Sequence, residues 1–379
     1  GFYEDTTCAE HYDETLEREM TAIFELASPD IVHCFGTEYP HTLAACKVFP
    51  RKDKILVGLQ GLCSLLAEAY FANLPEKVIW SRTFRDILRR DSLRQQQEKF
   101  RKRGENEQAT VALAGNITGR TAWDSQESAK WNEKAKYFVL NENLRGEFYG
   151  PVWQKENCIP HSIFLSQGDY PLKGLHYMLL ALSEILKEYP DAIVYVAGNS
   201  LVAYNTWKEK LKISAYGKYL RKLIKTHGLE GHIEFTGRLS AEQMRDRYLK
   251  SNLFVCCSSL ENSPNSLGEA MLLGMPCVAA KVGGIPTLFA DGEDGILYQG
   301  FKSDKDNTCN SGATNDMELQ SVSKNLARAV IEMWSDESKM LEYCKNARNH
   351  ALITHNRETN FAKMMEIYAK IQNGEDGDS

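Results

Sequence analysis

The sequence predicts an α/β protein with two parallel-sheet domains. Apolar runs of strand length alternate with longer amphipathic stretches, which is typical of βαβ units. The 379 residues are enough for two domains of ordinary size. Tyr149–Pro160 holds two prolines and a glycine, so we place the domain boundary there.

The apolar runs predict nine strands and eight helices. The strands are expected at Ile31–Phe35, Ile55–Leu59, Val111–Leu113, Tyr137–Leu140, Ser162–Ser166, Ala192–Ala197, His232–Thr236, Leu253–Cys257 and Pro276–Ala280. The helices are expected at Tyr12–Ala27, Asp86–Arg101, Gly174–Glu188, Tyr216–His227, Ala241–Lys250, Gly268–Leu273, Ser321–Trp334 and Glu358–Ile371.

Composition excludes several classes of protein. The net charge of −6 argues against a nucleic-acid partner, because nucleic-acid binders usually carry a basic excess. No apolar run approaches the ~20 residues that a membrane span needs. The ten cysteines form no C-x-x-C pair, and we expect reduced thiols packed as small apolar residues.

The stretch Ser258–Gly295 carries most of the chemical information. Glu261 and Glu269 flank the turn-forming segment Asn262–Ser266, and a helix-like run follows. A helix N-terminus offers free amides to phosphate, and a carboxylate on its first turn can accept hydrogen bonds from two sugar hydroxyls. Either glutamate alone is more often a capping or solvated loop carboxylate. Together they indicate a site for an anionic ligand with hydroxyl groups, such as a nucleotide sugar.

This stretch, ENSPNSLGEAMLLGMPCVAAKVGGIP, resembles the E-x7-E region of the retaining glycosyltransferases of family 4, also called group 1. Ser162–Gly174, Ala192–Asn199 and Ile233–Leu239 extend the resemblance over the C-terminal half. It implies the GT-B fold: two Rossmann-like domains facing across a cleft, with a C-terminal helix crossing back. We expect an acceptor-side domain in residues 1–155, lacking one or two first strands, and a donor domain in residues 156–355. A crossing helix in residues 356–371 and a disordered tail in residues 372–379 follow.

The resemblance also implies roles for donor-side residues. Lys173 would bind the diphosphate, and the backbone of Asn265, Ser266 and Leu267 the distal phosphate. Glu269 would hold the ribose, Glu261 would face the donor sugar, and Gly283 and Gly284 would line the cleft. Lys173 and Glu261 are the catalytic candidates, and the donor would be a UDP-, GDP- or ADP-sugar.

Two departures from the family pattern affect catalysis. No arginine stands in Ser166–Asp169, where the family places a second phosphate-binding cation. Arg238 is a candidate replacement, although it is equally readable as a surface residue. Gln60-Gly61 stands where the family has His-Gly, and an amide cannot act as a general base.

The N-terminal half resembles a bacterial branch of the family in the segments HCFGTEYPHTL, NITGRTAWD and NENLR. These segments supply the acceptor-side candidates, each of which could equally be structural or part of a buried ion pair: His33, Glu38, Gln60, Gly61, Arg120, Asp124, Glu142 and Arg145. His41 lies near the same predicted loop. The charged run Arg85–Arg103 is either a solvated helix face or a basic surface for an acidic acceptor or membrane headgroups.

The expected activity is retaining transfer to a glycan or lipid-linked acceptor in bacterial cell-surface polysaccharide synthesis. It would take place in the cytoplasm, at the inner face of the membrane. The leaving phosphate can take the acceptor's proton, so neither a protein base nor a metal is expected, and no cofactor. The only D-x-D spacings are Asp304–Asp306 and Asp376–Asp378. Alternatives are a GT-B epimerase or phosphorylase, or a non-catalytic nucleotide-sugar-binding protein.

Overall fold

The structure is a computed structural model that describes residues 2–301, 315–375 and 377. It contains two parallel sheets. The N-terminal sheet has the order β1-β2-β3-β4, with strands β1 Val32–Phe35, β2 Ile55–Gly58, β3 Asn116–Gly119 and β4 Lys136–Val139. Because every pair is parallel, the loops that follow the strands lie at one edge of this sheet.

The C-terminal sheet has six parallel strands in the order β10-β9-β8-β5-β6-β7. Their bounds are β5 Ile159–Leu165, β6 Ile193–Val196, β7 Ile233–Phe235, β8 Ser251–Cys256, β9 Cys277–Ala280 and β10 Ile296–Tyr298. Strand β8 is buried along its whole length. The order reverses between β5 and β8, the kind of switch point at which open α/β sheets bind ligands.

Helices cover both sheets. In chain order they are α1 Thr15–Ala27, α2 Pro40–Val48, α3 Cys63–Glu68, α4 Glu76–Ile79, α5 Phe84–Arg89, α6 Leu93–Leu113, α7 Ala122–Trp131, α8 Leu175–Glu188, α9 Trp207–Lys212, α10 Ala215–Thr226, α11 Ala241–Lys250, α12 Asn265–Leu273, α13 Ile285–Leu288, α14 Asn315–Ser335, α15 Glu337–Thr354 and α16 Arg357–Asn373. Within the described residues, none is both long and apolar enough to cross a membrane.

Residues 69–93, here called the interdomain arm, fasten the N-terminal domain to the C-terminal one. The buried apolar side chains of the arm, including Leu74, belong to the same cluster as the C-terminal sheet. His176 Nε2 donates to the carbonyl of Ala72 at 2.8 Å, and the amide of Ala215 donates to Asp86 Oδ2 at 2.9 Å. Apolar burial and hydrogen bonds thus both hold the two domains together.

Helix α16 crosses back to the N-terminal domain, as expected. Its Ile367 and Ile371 pack against Leu56 and Phe138 of the N-terminal sheet. Lys54 Nζ donates to the carbonyl of Ile371 at 2.6 Å. The expected crossing helix and the two-sheet architecture are therefore confirmed.

Two predicted elements are wrong. Val111–Leu113 is the last turn of α6, and the strand is Asn116–Gly119, whose N-I-T-G sequence carries little apolar signal. The predicted helix Asp86–Arg101 is two helices, since Arg90 takes a left-handed conformation with φ 50° and Ser92 caps α6. Strand β10 was not predicted, because its three residues are too few to give a periodic signal. Asp304–Asp306 and most of Asp376–Asp378 lie outside the described residues.

Candidate active site

A cleft of about 550 Å³ separates the two domains at the carboxyl ends of the parallel strands. The loop after β2 and residues near Arg120 and Arg145 contribute from the N-terminal side. The loops after β5 and β8 and the start of α12 contribute from the C-terminal side. Of the predicted site residues, the cleft is lined by Glu38, Gln60, Gly61, Arg120, Arg145, Lys173, Glu261, Asn265, Ser266 and Glu269.

Lys173 and Glu261 form an ion pair in this cleft. Lys173 Nζ lies 2.6 Å from Glu261 Oε1, and Ser258 Oγ donates to the same oxygen at 2.7 Å. Burial alone would lower the pKa of Lys173, but the Glu261 carboxylate outweighs it and holds the pKa above its usual value. The ammonium group is therefore charged and available to an anion at neutral pH.

Glycine at position 174 sets the direction of the Lys173 turn. It follows the short 3-10 turn Pro171–Lys173 and has φ +70°. A Cβ there would meet the carbonyl oxygen of Cys257 at 1.8 Å. Only glycine combines that conformation with so close an approach, and this approach brings the lysine beside the end of β8.

Helix α12 begins at Asn265, directly at the cleft. Within the described residues, the amides of Asn265 and Ser266 have no hydrogen-bond acceptor, whereas the amide of Leu267 donates to the carbonyl of Pro264 at 3.0 Å. The Leu267 side chain is buried in the core and does not line the cleft. Two free amides at a helix N-terminus make a site for a phosphate group.

Glu269, on the first turns of α12, is 4% exposed and is held by Arg145. Arg145 Nε and Nη2 donate to the two carboxylate oxygens at 2.6 and 2.7 Å. Burial raises the pKa of Glu269, and Arg145 opposes this. Arg145 also stacks on Phe148, with its Cζ 4.8 Å from the ring centroid, so an N-terminal residue engages the donor-side glutamate.

Arg120 reaches from the end of β3 into the donor loop. Its Nη1 donates to Asn265 Oδ1 at 2.7 Å and its Nη2 to the carbonyl of Ser263 at 3.1 Å. Glu142 lies 3.5 Å from Nη1. Burial lowers the pKa of Arg120, and its Nε, also buried, has no partner within the described residues. The cleft thus holds Arg120, Arg145 and Lys173, although no arginine precedes the lysine in sequence.

Hydrogen bonds hold the acceptor-side candidates Gln60 and Gly61 in place, and one of their partners, Glu142, lies outside the cleft lining. Gln60 Nε2 donates to Glu142 Oε1, and the amide of Gly61 donates to Glu38 Oε1 at 3.0 Å. His41 pairs with Glu4 at 2.7 Å and is not among the residues that line the cleft.

His33, Asp124 and Arg238 lie away from the cleft lining. His33 Nδ1 lies 2.8 Å from the hydroxyl of Tyr368 on α16, and burial lowers its pKa to about 4. Asp124 caps α7 and accepts from Asn262 Nδ2 at 2.9 Å. Arg238 is exposed on the loop after β7. His33 and Asp124 thus connect parts of the fold to one another, and Arg238 lies outside the cleft lining in this arrangement.

Gly283 and Gly284 also lie away from the cleft lining, behind the loop that carries Glu261. A Cβ at Gly283 would meet the carbonyl oxygen of Glu261 at 2.1 Å, and one at Gly284 that of Asn262 at 2.2 Å. The amide of Gly284 donates to the carbonyl of Glu261 at 3.0 Å. The two glycines therefore position the catalytic candidate from behind.

Sequence reasoning missed Asn262 and Ser258. Thr121 Oγ1 donates to Asn262 Oδ1 at 2.8 Å, and Asn262 Nδ2 reaches Asp124 and the carbonyl of Gln60. Asn262 therefore joins the donor loop to two N-terminal segments. Its place beside Glu261 was the only available signal, because its partners are distant in sequence.

Residues 160–306 match the sequence model of the family described as glycosyl transferases group 1. Over these residues the C-terminal domain is similar to the group 1 glycosyltransferases. A D-inositol 3-phosphate glycosyltransferase of Streptomyces avermitilis is 30% identical over 130 residues, covering 34% of this chain and 27% of that relative. The chain spans 27% to 38% of the length of this and the other curated relatives compared with it.

Two solved structures share the fold across nearly the whole chain. Sucrose-phosphate synthase from Thermosynechococcus elongatus gives a TM-score of 0.67 at 16% identity, covering 98% of this chain and 81% of that one. Anabaena HepE in complex with UDP-glucose gives 0.55 at 18% identity, covering 90% and 100%. With its two facing parallel sheets and crossing helix, the chain has the GT-B fold.

Proposed function

We propose that the chain transfers a sugar from a nucleotide-sugar donor in the cleft to a glycan or lipid-linked acceptor. One observation carries the proposal. Lys173, Glu261, Glu269 and the two free amides of α12 converge in one cleft at the strand ends. Cations and amides aimed at a diphosphate stabilise the charge that develops on a leaving nucleotide. The resemblance to HepE makes UDP the first nucleotide to test.

In this mechanism Lys173 and the amides of Asn265 and Ser266 hold the diphosphate. Glu269 holds the ribose hydroxyls and Glu261 faces the sugar. Arg120, bonded to Asn265 from the N-terminal side, supplies the second cation. The leaving phosphate oxygen accepts the acceptor's proton on the same face of the sugar, so the configuration is retained without a protein base. This chemistry would take place in the cytoplasm and needs no metal.

Donor binding is tested by thermal unfolding with UDP, GDP and ADP. A nucleotide at about 100 times its dissociation constant adds roughly 2.7 kcal/mol of stability. Lys173→Ala should remove the stabilisation by the preferred nucleotide. Lys187→Ala is the matched control, because Lys187 forms a 2.6 Å pair with Glu184 on an exposed helix face. Equal stabilisation of both variants would contradict the role of Lys173.

Turnover is tested with the sugar of the preferred nucleotide and a panel of glycan acceptors. Glu261→Gln should lose transfer and retain nucleotide binding. NMR of the product distinguishes retention from inversion, and chelation with EDTA should leave the rate unchanged. An inverted product or a chelator-sensitive rate would refute the corresponding part of the mechanism.

A second candidate function is donor binding without turnover. It is favoured by the pairing of Lys173 and Glu269 with other side chains and by Gln60 in the place of an imidazole. Nucleotide-sugar binding with neither transfer nor hydrolysis, for every donor, would select it. Isomerisation of the donor sugar alone would instead select an epimerase.

A further inference from the structure

Six large apolar side chains are exposed together where the two domains meet. Helices α5 and α9 contact each other there, one from each domain. We call this surface the docking face. Its apolar members, with their exposed fractions, are Trp80 (61%), Phe84 (61%), Ile87 (65%), Leu88 (72%), Trp207 (68%) and Leu211 (45%). Single exposed apolar residues are ordinary, but a cluster of this kind marks an interaction site.

The docking face is also strongly basic. Its exposed cations are Arg82, Arg89, Arg90, Arg94, Lys208, Lys210 and Lys212. The carboxylates that alternate with them in sequence are fewer: Asp86 is buried and accepts from the amide of Ala215, Asp91 accepts from Arg85 at 2.9 Å, and Glu209 accepts backbone amides at 2.7 and 2.8 Å. A positive surface therefore stands out on a chain whose net charge is −6.

The fold uses only one side of this segment. Val78, Ile79 and Leu93 of the interdomain arm are buried in the shared core. Phe84 and Leu88 of the same arm contribute little to that burial, since more than half of each side chain is exposed. An amphipathic segment with its inner side packed and its outer side apolar and cationic matches the composition of helices that lie in a membrane interface.

We propose that the docking face seats the chain on an anionic bilayer. The apolar side chains enter the boundary between headgroups and acyl chains, and the arginines and lysines bind lipid phosphates. The alternative occupant, a second copy of this chain, is disfavoured by charge. A two-fold interface would place the same cations against one another.

The position of the docking face suggests a role for it. It borders a cavity of about 220 Å³ lined by Arg85 and Lys212. A neighbouring cavity of about 350 Å³ shares Arg85 and Tyr170 with the first. The Tyr170 ring lies 5.9 Å from Nζ of Lys173 in the donor cleft. A lipid-linked acceptor could thus approach the donor from the bilayer. This role rests on the proposed function, but membrane docking itself does not.

Co-sedimentation of the full chain with vesicles tests the proposal. We expect binding to vesicles of phosphatidylcholine with phosphatidylglycerol and much weaker binding to phosphatidylcholine alone. The double variant Arg82→Glu/Arg89→Glu should lose at least about thirtyfold in vesicle affinity, since each cation near an anionic surface contributes about 1 kcal/mol. Ile87→Ser/Leu88→Ser should lose about tenfold or more.

Matched variants separate docking from general surface effects. Lys324→Glu/Lys345→Glu makes the same charge change on exposed residues of α14 and α15, and Leu26→Ser/Ile353→Ser removes exposed apolar groups from α1 and α15. Both should bind as the unaltered chain does. Failure of the full chain to bind anionic vesicles, or equal binding by all variants, overturns the proposal. The proposal is also overturned if the chain forms a dimer and Ile87→Ser/Leu88→Ser dissociates that dimer. None of these readouts depends on donor or turnover, so their failure is distinguishable from failure of the proposed function.

Discussion

Replacing Arg145 with alanine should destabilise the protein by about 2 kcal/mol at pH 8, because it leaves Glu269 buried without its cation. Breaking a fully buried pair costs about 3–5 kcal/mol, whereas exposed pairs contribute about 0–1 kcal/mol. Here the glutamate side chain is 5% exposed and the arginine side chain 42%. The pair is also bidentate, at 2.6 and 2.7 Å, which favours a value between these limits.

The loss should depend on pH with a definite sign. Burial already raises the pKa of Glu269, and Arg145 is the group that lowers it. Without Arg145 the folded state binds a proton more tightly than the unfolded state does. Stability therefore falls as pH rises through the folded-state pKa, and acid relieves the defect. Urea unfolding at pH 8 and pH 5 measures the difference, which should be clearly smaller at pH 5.

A double-mutant cycle with Glu269→Gln isolates the interaction. The coupling free energy should be about 1–2 kcal/mol. Arg145→Lys keeps the charge but loses the two-pronged geometry, and it should recover only part of the stability. A deficit that is the same at both pH values, or a coupling below about 0.3 kcal/mol, would refute the assignment of the Glu269 environment.

Three further predictions concern the surroundings of the site. Gly284→Ala should cost about 1–3 kcal/mol, because its Cβ would meet the carbonyl oxygen of Asn262 at 2.2 Å, whereas Gly150→Ala, with open space around it, should be close to neutral in thermal unfolding. Burial raises the pKa of Glu107 to about 7, so stability should fall by up to about 3 kcal/mol between pH 4.5 and 7, and Glu107→Gln should flatten that slope in urea titrations. Burial lowers the pKa of His33 to about 4, so the free energy of unfolding should fall by up to about 2 kcal/mol as the pH drops from 6.5 to 5. The urea midpoint of His33→Gln should depend less on pH over this range, and an unchanged dependence would contradict the prediction.

The donor side of the site could be predicted from short stretches of sequence. The spacing of Glu261 and Glu269 around a Pro-Asn turn requires only one loop and one helix, and the structure builds both. The predicted strand and the glycine next to Lys173 indicated its position, and Lys173 lines the same cleft. The backbone at each of these positions belongs to the C-terminal domain, whose sheet follows from a regular alternation of strands and helices.

The sequence around Lys173 does not reveal the other cations of the cleft. Arg120 enters the cleft from the end of a strand in the other domain, and its partner Asn265 lies 145 residues away in sequence. The strand itself, Asn116–Gly119, is buried yet half polar, since Asn116 Nδ2 donates to the carbonyls of Asp53 and Ile55 at 2.8 and 3.0 Å. A buried strand whose polar groups are satisfied by distant backbone carries no apolar signature.

Long-range contacts also explain why candidates from both sides of the site lie outside the cleft lining. His33 lies within β1, close to the loop in which a ligand-binding side chain is expected, but a contact with Tyr368, 335 residues away, directs it to the crossing helix. Gly284 was predicted to line the cleft. In the structure it instead supports the loop of Glu261, because its amide donates to the Glu261 carbonyl. A motif specifies which backbone segments approach one another. Which side chain then faces the ligand is decided by long-range packing, and that information is distributed over both domains.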